Sequence, residues 1–325
     1  MIRVFHYLEL ERKLLTSGGI GVATQNQRKA MTLAGITAVG KGEAHDVVHL
    51  CTVGPKSFAY AKLAKHKGTP LVMSTHTTAE DFKGSFAMSD TAAPSLRKYL
   101  KTFYSMADVL IAPTQYTADL IRSYGLTNRI EVVSNGIDMS LFTGLKQRRE
   151  DYRKKYGLEG TVVYSVGHVF LKKGLETFVN VARTSDVPFV WFGRVYNGAH
   201  SAKTDDVLKS APPNVRFTGW VEDAIACHAA GDVFLFPTHN ENQGIVLLEA
   251  AACGRAAVVR DIPVFNGWKS CIRADDDQTF AKQVAALVKD ASKRSRRGAA
   301  MKREVRAHSL ESVGKKLAAI YESLV

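Results

Sequence analysis

Two glutamates stand eight positions apart in Glu241-Asn242-Gln243-Gly244-Ile245-Val246-Leu247-Leu248-Glu249, directly after the apolar run Val233-Phe234-Leu235-Phe236-Pro237. A buried strand, a polar loop with glycine and then a helix is how open α/β sheets build a site at a strand's carboxyl end. Glu241 falls in the loop and Glu249 inside the helix. Free N–H groups and the macrodipole at a helix start favour anions. Carboxylates placed there can accept hydrogen bonds from sugar or ribose hydroxyls. Ordinary helix-surface charge gives the same spacing, so the surrounding motifs decide.

Four further constellations follow strands. Thr16-Ser17-Gly18-Gly19-Ile20-Gly21 precedes a helix, and its glycines permit a tight turn or the close approach of a phosphate. Ser74-Thr75-His76-Thr77-Thr78-Ala79-Glu80-Asp81-Phe82 surrounds His76 with hydroxyls and two carboxylates. Such a cluster can bind sugar hydroxyls or position an acceptor; a lone histidine can equally be a structural hydrogen-bonder. Val166-Gly167-His168-Val169-Phe170-Leu171-Lys172-Lys173-Gly174 puts Lys173 at a helix start, within reach of a phosphate or simply solvated. Val133-Ser134-Asn135-Gly136-Ile137-Asp138 contains an Asn-Gly turn and reads as structural first.

The elements that must position these residues alternate between strand and helix, which argues for parallel sheets covered by helices. Residues 1–8, 46–50, 70–74, 109–112 and 130–133 read as strands, with helices over 21–34, 57–66, 94–106 and 116–124. A second series has strands over 161–166, 189–192, 215–218, 233–236 and 256–259, with helices over 174–184, 204–210, 224–230 and 244–252. The polar stretch 143–155 is the linker candidate. The division expected is 1–143, 144–308 and a C-terminal helix over 309–325 that packs back on the first domain. Two α/β halves of this kind suggest two Rossmann-like domains with a cleft.

The 325 residues suit two domains rather than one core. Charged residues make up 23% and hydrophobic ones 46%, which excludes a disordered chain. No apolar run reaches membrane-spanning length. The N-terminal apolar run is broken by Glu9, Glu11 and Arg12, unlike a signal peptide. Cys51, Cys227, Cys253 and Cys271 lie far apart, so neither a zinc site nor a disulfide framework is expected, and a reducing cytoplasm fits. The net charge of +13 is divided nearly evenly between the halves and suits anionic lipid, nucleotide phosphate or nucleic acid.

Taken in order, Gly18-Gly19-Ile20-Gly21, Thr75-His76, Pro113-Thr114-Gln115-Tyr116-Thr117, Ser134 to Asp138, Gly167 to Gly174 and Glu241 to Glu249 resemble the family 4 retaining glycosyltransferases of GT-B architecture. The segments His76 to Phe86, Phe189-Val190-Trp191-Phe192-Gly193, Glu241 to Val246 and Arg260 to Trp268 are similar to bacterial diacylglycerol and monoglucosyl-diacylglycerol α-glycosyltransferases. The resemblance implies an α/β fold of two facing Rossmann-like domains, with a UDP-glucose or UDP-galactose donor and a glycolipid acceptor. It implies no metal or other cofactor. By the same resemblance His76 and Glu241 are catalytic, Glu241 holding the donor sugar's hydroxyls and His76 lying near that sugar. Gly19, Lys173, Asn242, Gln243, Gly244 and Glu249 bind the donor, with Glu249 on the ribose. Many family members carry arginine where His168 stands, which shifts weight onto Lys173.

A lipid acceptor must be met at a membrane surface. In Pro94 to Tyr104, Leu96, Leu100 and Phe103 share one helical face beside Arg97, Lys98 and Lys101. The three cations are the membrane-contact candidates for a cytoplasmic protein held peripherally at the inner face of the membrane; an ordinary domain helix shows the same pattern. The rival readings are a glycosyltransferase acting on a soluble or polysaccharide acceptor, and a basic nucleic-acid-binding module. No nucleic-acid-binding signature supports the latter.

Overall fold

The computed structural model describes residues 1–11, 18–84, 89–195 and 202–325. Their contacts divide into two units: one from the described residues of 1–83 and 89–138 joined by Ala307–Val325, the other from Met139–Arg306 with Gly84.

In the first unit β1 (Arg3–Tyr7), β2 (Thr37–Val39), β3 (Val47–Leu50), β4 (Leu71–Ser74), β5 (Val109–Ala112) and β6 (Arg129–Val132) form a parallel sheet in the order β2-β1-β3-β4-β5-β6. Its helices are α1 (Gly19–Leu33), α2 (Pro55–Lys67), α3 (Ala79–Phe82), α4 (Ser89–Tyr104), α5 (Gln115–Arg122) and the chain-terminal α13 (Leu310–Glu322). β3, β4 and β5 are buried throughout and read as near-continuous apolar runs because helices cover both faces. Successive residues enter opposite cores. Val4, Val47, Val72, Val109 and Ile111 meet Met31 of α1 and Val313, Leu317 and Tyr321 of α13. Phe5, Val48, Met73 and Leu110 meet Ala61 of α2 and Leu100, Phe103 and Tyr104 of α4.

The last helix is bound tightly to this unit. A Cβ on Gly314 would lie 2.4 Å from the Ala30 carbonyl oxygen, so only glycine lets α13 approach α1 so closely. Beneath it, the buried Tyr321 hydroxyl lies 2.7 Å from His49 Nδ1, and His49 Nε2 lies 2.8 Å from Ser74 Oγ. Tyr321→Phe removes one partner from a fully buried imidazole. The expected loss is about 1–3 kcal/mol of stability, read as a lower urea midpoint at pH 7.5. An unchanged midpoint would show that this hydrogen bond contributes nothing.

In the second unit β7 (Val163–Val166), β8 (Phe189–Phe192), β9 (Val215–Phe217), β10 (Val233–Phe236), β11 (Ala256–Arg260) and β12 (Ile272–Ala274) are parallel in the order β12-β11-β10-β7-β8-β9. Its helices are α6 (Leu145–Tyr156), α7 (Leu175–Ala182), α8 (Ala202–Lys209), α9 (Ala224–Ala230), α10 (Ile245–Ala252), α11 (Asp277–Lys289) and α12 (Ala291–Glu304). The chain runs outward from β7 to β9, then returns to lay β10 on the other side of β7. β7 and β10 therefore flank a topological switch point, where ligands bind outside the carboxyl ends of such sheets.

The stretch expected as a linker is a helix. Glycines in left-handed conformation, Gly144 and Gly157, bracket α6. Its arginines explain why a segment with no buried side chain is ordered. Arg149 and Arg153, one turn apart, reach the Asp232 carboxylate at 2.7 and 3.2 Å and the Ala230 carbonyl at 3.1 Å each. Cations thereby satisfy the unpaired carbonyls at the C-terminal end of α9.

Candidate active site

The loops after β7 and β10 are stitched together at the switch point. His239 N–H donates to the Lys172 carbonyl at 2.8 Å. Gly174 has φ +82°, and a Cβ there would lie 2.2 Å from the Pro237 carbonyl oxygen. Any side chain would push the two loops apart, so the glycine is required on two counts. On this platform Lys173 Nζ forms an ion pair with Glu241 Oε1, which also accepts from Thr238 Oγ1 at 3.3 Å. Glu241 is largely buried. Lys173 is therefore drawn from solvent to the start of α7, whose first N–H groups favour an anion in the same place.

Asn242, Gln243 and Gly244 carry the chain from Glu241 into α10. Gly244 has φ +79° and caps that helix without a side-chain hydrogen bond. Its missing Cβ would sit 3.0 Å from the Phe236 ring. Glu249, one turn inside α10, faces His228 of α9, with Oε2 3.2 Å from Nε2. The other nitrogen, Nδ1, lies 3.0 Å from the Tyr164 hydroxyl. Burial pushes that phenol well above its usual range, so it stays protonated and able to donate to Nδ1. In that tautomer the remaining His228 N–H points at Glu249. This Tyr164–His228–Glu249 chain fixes one carboxylate oxygen. The sequence alone does not reveal this chain, because His228 sits among alanines in a helix, with nothing local to signal its partners.

Two segments singled out in the sequence have structural work in the same loops. Trp191 Nε1 donates to the Gly167 carbonyl at 2.9 Å, and a Cβ on Gly193 would come within 1.8 Å of that oxygen. Arg260 donates to the Pro237 carbonyl and to Thr177 Oγ1, both at 2.9 Å. The His168 ring stacks on Phe170 with centroids 5.7 Å apart.

In the first unit, Gly19 opens α1 behind the extended backbone of Gly18; Thr16 and Ser17 lie outside the described residues. His76 follows β4 at the sheet's carboxyl end, is 8% exposed, and is pushed down to about 4 by burial. It is a neutral imidazole at pH 7. Glu80 is occupied elsewhere: the Tyr124 hydroxyl donates to it at 2.5 Å and Arg97 lies 3.9 Å away. Asn135 and Gly136 belong to a structural turn, with the Asn26 amide donating to the Gly136 carbonyl at 2.7 Å.

His6, His49 and Cys51 bring three potential metal-ligand atoms within 4.8 Å of one another. Their neighbours do not suit a cation. Arg28 Nε lies 3.3 Å from His6 Nδ1, His6 Nε2 lies 3.2 Å from the Gln27 amide oxygen, and His49 is held by Tyr321 and Ser74. The cluster is a hydrogen-bonded core.

The proposed membrane helix needs correction. Leu100 and Phe103 are core residues beneath α4, with Leu96 packed against them, so the apolar stripe faces inward. Arg97 is engaged within the unit: it donates to the Ser123 carbonyl at 2.9 Å and stacks over Tyr124 at 4.6 Å. Lys98 and Lys101 remain exposed.

Residues 19–141 match the sequence profile described as Glycosyltransferase Family 4, and residues 160–290 match Glycosyl transferases group 1. The chain is 30% identical to the processive diacylglycerol alpha-glucosyltransferase of Acholeplasma laidlawii, over 97% of this chain and 96% of that protein. The chain belongs to glycosyltransferase family 4. The family 4 enzyme is also 24% identical to the alpha-galactosylglucosyldiacylglycerol synthase of Streptococcus pneumoniae, over 68% of this chain and 62% of that one. Among solved structures, HepE of Anabaena in complex with UDP-glucose superposes with a TM-score of 0.82 over the whole of both chains, at 14% identity. WaaG, a glycosyltransferase involved in lipopolysaccharide biosynthesis, superposes at 0.68 over 99% of each, at 16% identity. The family 4 protein is thus a glycosyltransferase with the GT-B fold. No helix among its described residues is long and apolar enough to cross a membrane.

Proposed function

We propose that this glycosyltransferase moves glucose or galactose from a UDP-sugar, with retention at the anomeric carbon, to diacylglycerol or monoglucosyl-diacylglycerol at the inner face of the cell membrane. The observation that carries the reading is the end-to-end similarity to a protein named for transfer of glucose to diacylglycerol. The Lys173–Glu241 pair at the switch point between β7 and β10 is consistent with it. When the sugar–phosphate bond breaks, negative charge grows on the departing nucleoside diphosphate, and catalysis needs positive groups already in position. Lys173 and the start of α7 meet that demand, so the reading asks for no metal ion. Glu241 then exchanges its lysine for the sugar's hydroxyls, with Asn242, Gln243 and Gly244 beside it. Glu249, oriented by His228, accepts from the ribose. Gly19 and His76 keep the donor-binding and catalytic roles that the family resemblance implies.

Glu249→Gln should cut transfer about ten- to a hundredfold through the loss of one charged hydrogen bond. His228→Ala should give part of that loss by freeing the carboxylate, chiefly as a higher KM for the UDP-sugar. Equal KM values in His228→Ala and the parent would remove the orienting role.

The test of the function is incubation with UDP-glucose or UDP-galactose and each lipid acceptor, followed by separation of the lipids and determination of linkage. An α-linked glycolipid is the expected product. Transfer only to a soluble or polysaccharide acceptor would replace the lipid reading.

A further inference from the structure

Helices α2 and α4 flank an open groove of about 720 Å³ in the first unit, lined by Val53, Pro55, Phe58, Lys98, Tyr99 and Thr102. The groove is shallow and open to solvent, a surface depression rather than an enclosed cleft. Its floor is apolar and built. The Phe58 ring stacks on Tyr99 and on Phe103 with centroids 6.1 Å apart in each case, and the Tyr99 hydroxyl donates to the Val53 carbonyl at 2.6 Å. Its surroundings are basic. Lys98 is exposed at the rim, and Lys62 lies over the Phe58 ring at 5.1 Å. α2 carries Lys56 and Lys62 and no acidic residue, while its Lys65 is paired with Asp108 at 3.1 Å and the Glu9 carboxylate lies at its start.

The position is as informative as the lining. Val53 and Pro55 follow β3, so one end of the groove lies at the carboxyl end of the sheet, the end at which His76 follows β4, while Lys98 and Thr102 lie in the last two turns of α4, toward the other end. Glu9, just after β1, accepts from the Ser57 N–H at 3.0 Å and so draws the β1 loop to the start of α2. The next residue, Leu10, is held at φ +57° with 66% of its surface exposed. A bulky residue with positive φ is a strained placement that surrounding structure must enforce. Here it keeps an apolar side chain in solvent.

We propose that this groove takes an acyl chain of a diacylglycerol-based lipid, drawn from an anionic bilayer. The apolar floor accepts the chain, and Lys98 and Lys62 face the phosphates of neighbouring lipids. The inference deepens the lipid-acceptor reading and rests on it. It places the membrane contact in the α2–α4 groove rather than on the Leu96, Leu100 and Phe103 face of α4.

Thr102 is exposed and lines the groove, so Thr102→Trp puts a reporter there without touching the core. The probe is vesicles of phosphatidylglycerol with brominated acyl chains, compared with unbrominated ones. The native tryptophans, Trp191, Trp220 and Trp268, all belong to the second unit, so the parent protein supplies the background. Quenching at least twice that of the parent is expected, and it should fall at high salt as the lysine–phosphate attraction is screened. As a second measurement, Thr102→Glu lays a charge along the floor. It should raise KM about tenfold for a dioleoyl acceptor relative to a dihexanoyl one. No added quenching in Thr102→Trp, together with an unchanged KM ratio in Thr102→Glu, would overturn the groove. If the parent glycosylates lipid under those conditions, only the groove is lost. Quenching in a protein that glycosylates no lipid would instead sink the acceptor reading and leave the groove as a lipid site.

Discussion

Lys173→Ala should reduce kcat/KM for transfer by about 10²–10³, the effect of removing one positioned group that stabilises developing charge. The same variant should weaken binding of UDP itself, because the diphosphate is present in product as well as donor. Glu241→Gln should behave differently. It removes the anion that holds Lys173 but keeps the shape of the side chain. UDP affinity should therefore hold or rise, while transfer falls about ten- to a hundredfold with the lost bond to the sugar. The two variants should also part in stability. Lys173→Ala strands a largely buried carboxylate, at a cost approaching 3 kcal/mol after allowance for the lysine's partial exposure. Glu241→Gln leaves a lysine able to turn toward water. UDP titrations by calorimetry and urea unfolding of both proteins separate these effects. If both variants lose UDP affinity equally, Lys173 is a structural partner of Glu241 and not the diphosphate ligand.

That contrast shows how far the sequence carries. Glu241, Lys173 and the glycines around them were legible because strand, loop and helix alternate with a fixed polarity, and the carboxyl ends of parallel strands collect on one edge. Their pairing was not legible, since 68 residues separate Lys173 from Glu241. β2 and β12 were missed because each spans three residues at a sheet edge, with no apolar run. α6 has the polar sequence of a linker because its order comes from arginines meeting the end of α9, a distant partner that no local pattern encodes. The stripe of α4 failed for the opposite reason. Leu96, Leu100 and Phe103 have the spacing that either a bilayer or a protein core rewards, and here the core holds Leu100 and Phe103.

The buried histidines of the first unit give the second large effect, a steep loss of stability in mild acid. Burial pushes His6 down to about 3 and His76 to about 4, and holds His49 well below its ordinary value of 6.5. Arg28 adds to the shift of His6, and His6 and His76 each disfavour charge on His49. In the unfolded chain all three titrate near 6.5. Below that pH the unfolded state binds protons that the folded state refuses, so stability is full above about pH 6.5 and falls as the pH drops toward the folded values. With three groups the slope reaches about 4 kcal/mol per pH unit. By pH 5 about 6 kcal/mol is lost, a large share of the roughly 5–15 kcal/mol that stabilises a domain, so the first unit should begin to unfold between about pH 5 and pH 4. Because all three tryptophans lie in the second unit, far-ultraviolet circular dichroism should fall there before tryptophan fluorescence changes. His49→Asn should flatten the slope by about a third, whatever it does to stability at pH 7.5. A parent slope near zero between pH 7 and 5 would mean that these imidazoles take up protons while folded, and the neutral network joining β1, β3 and α13 would have to be redrawn.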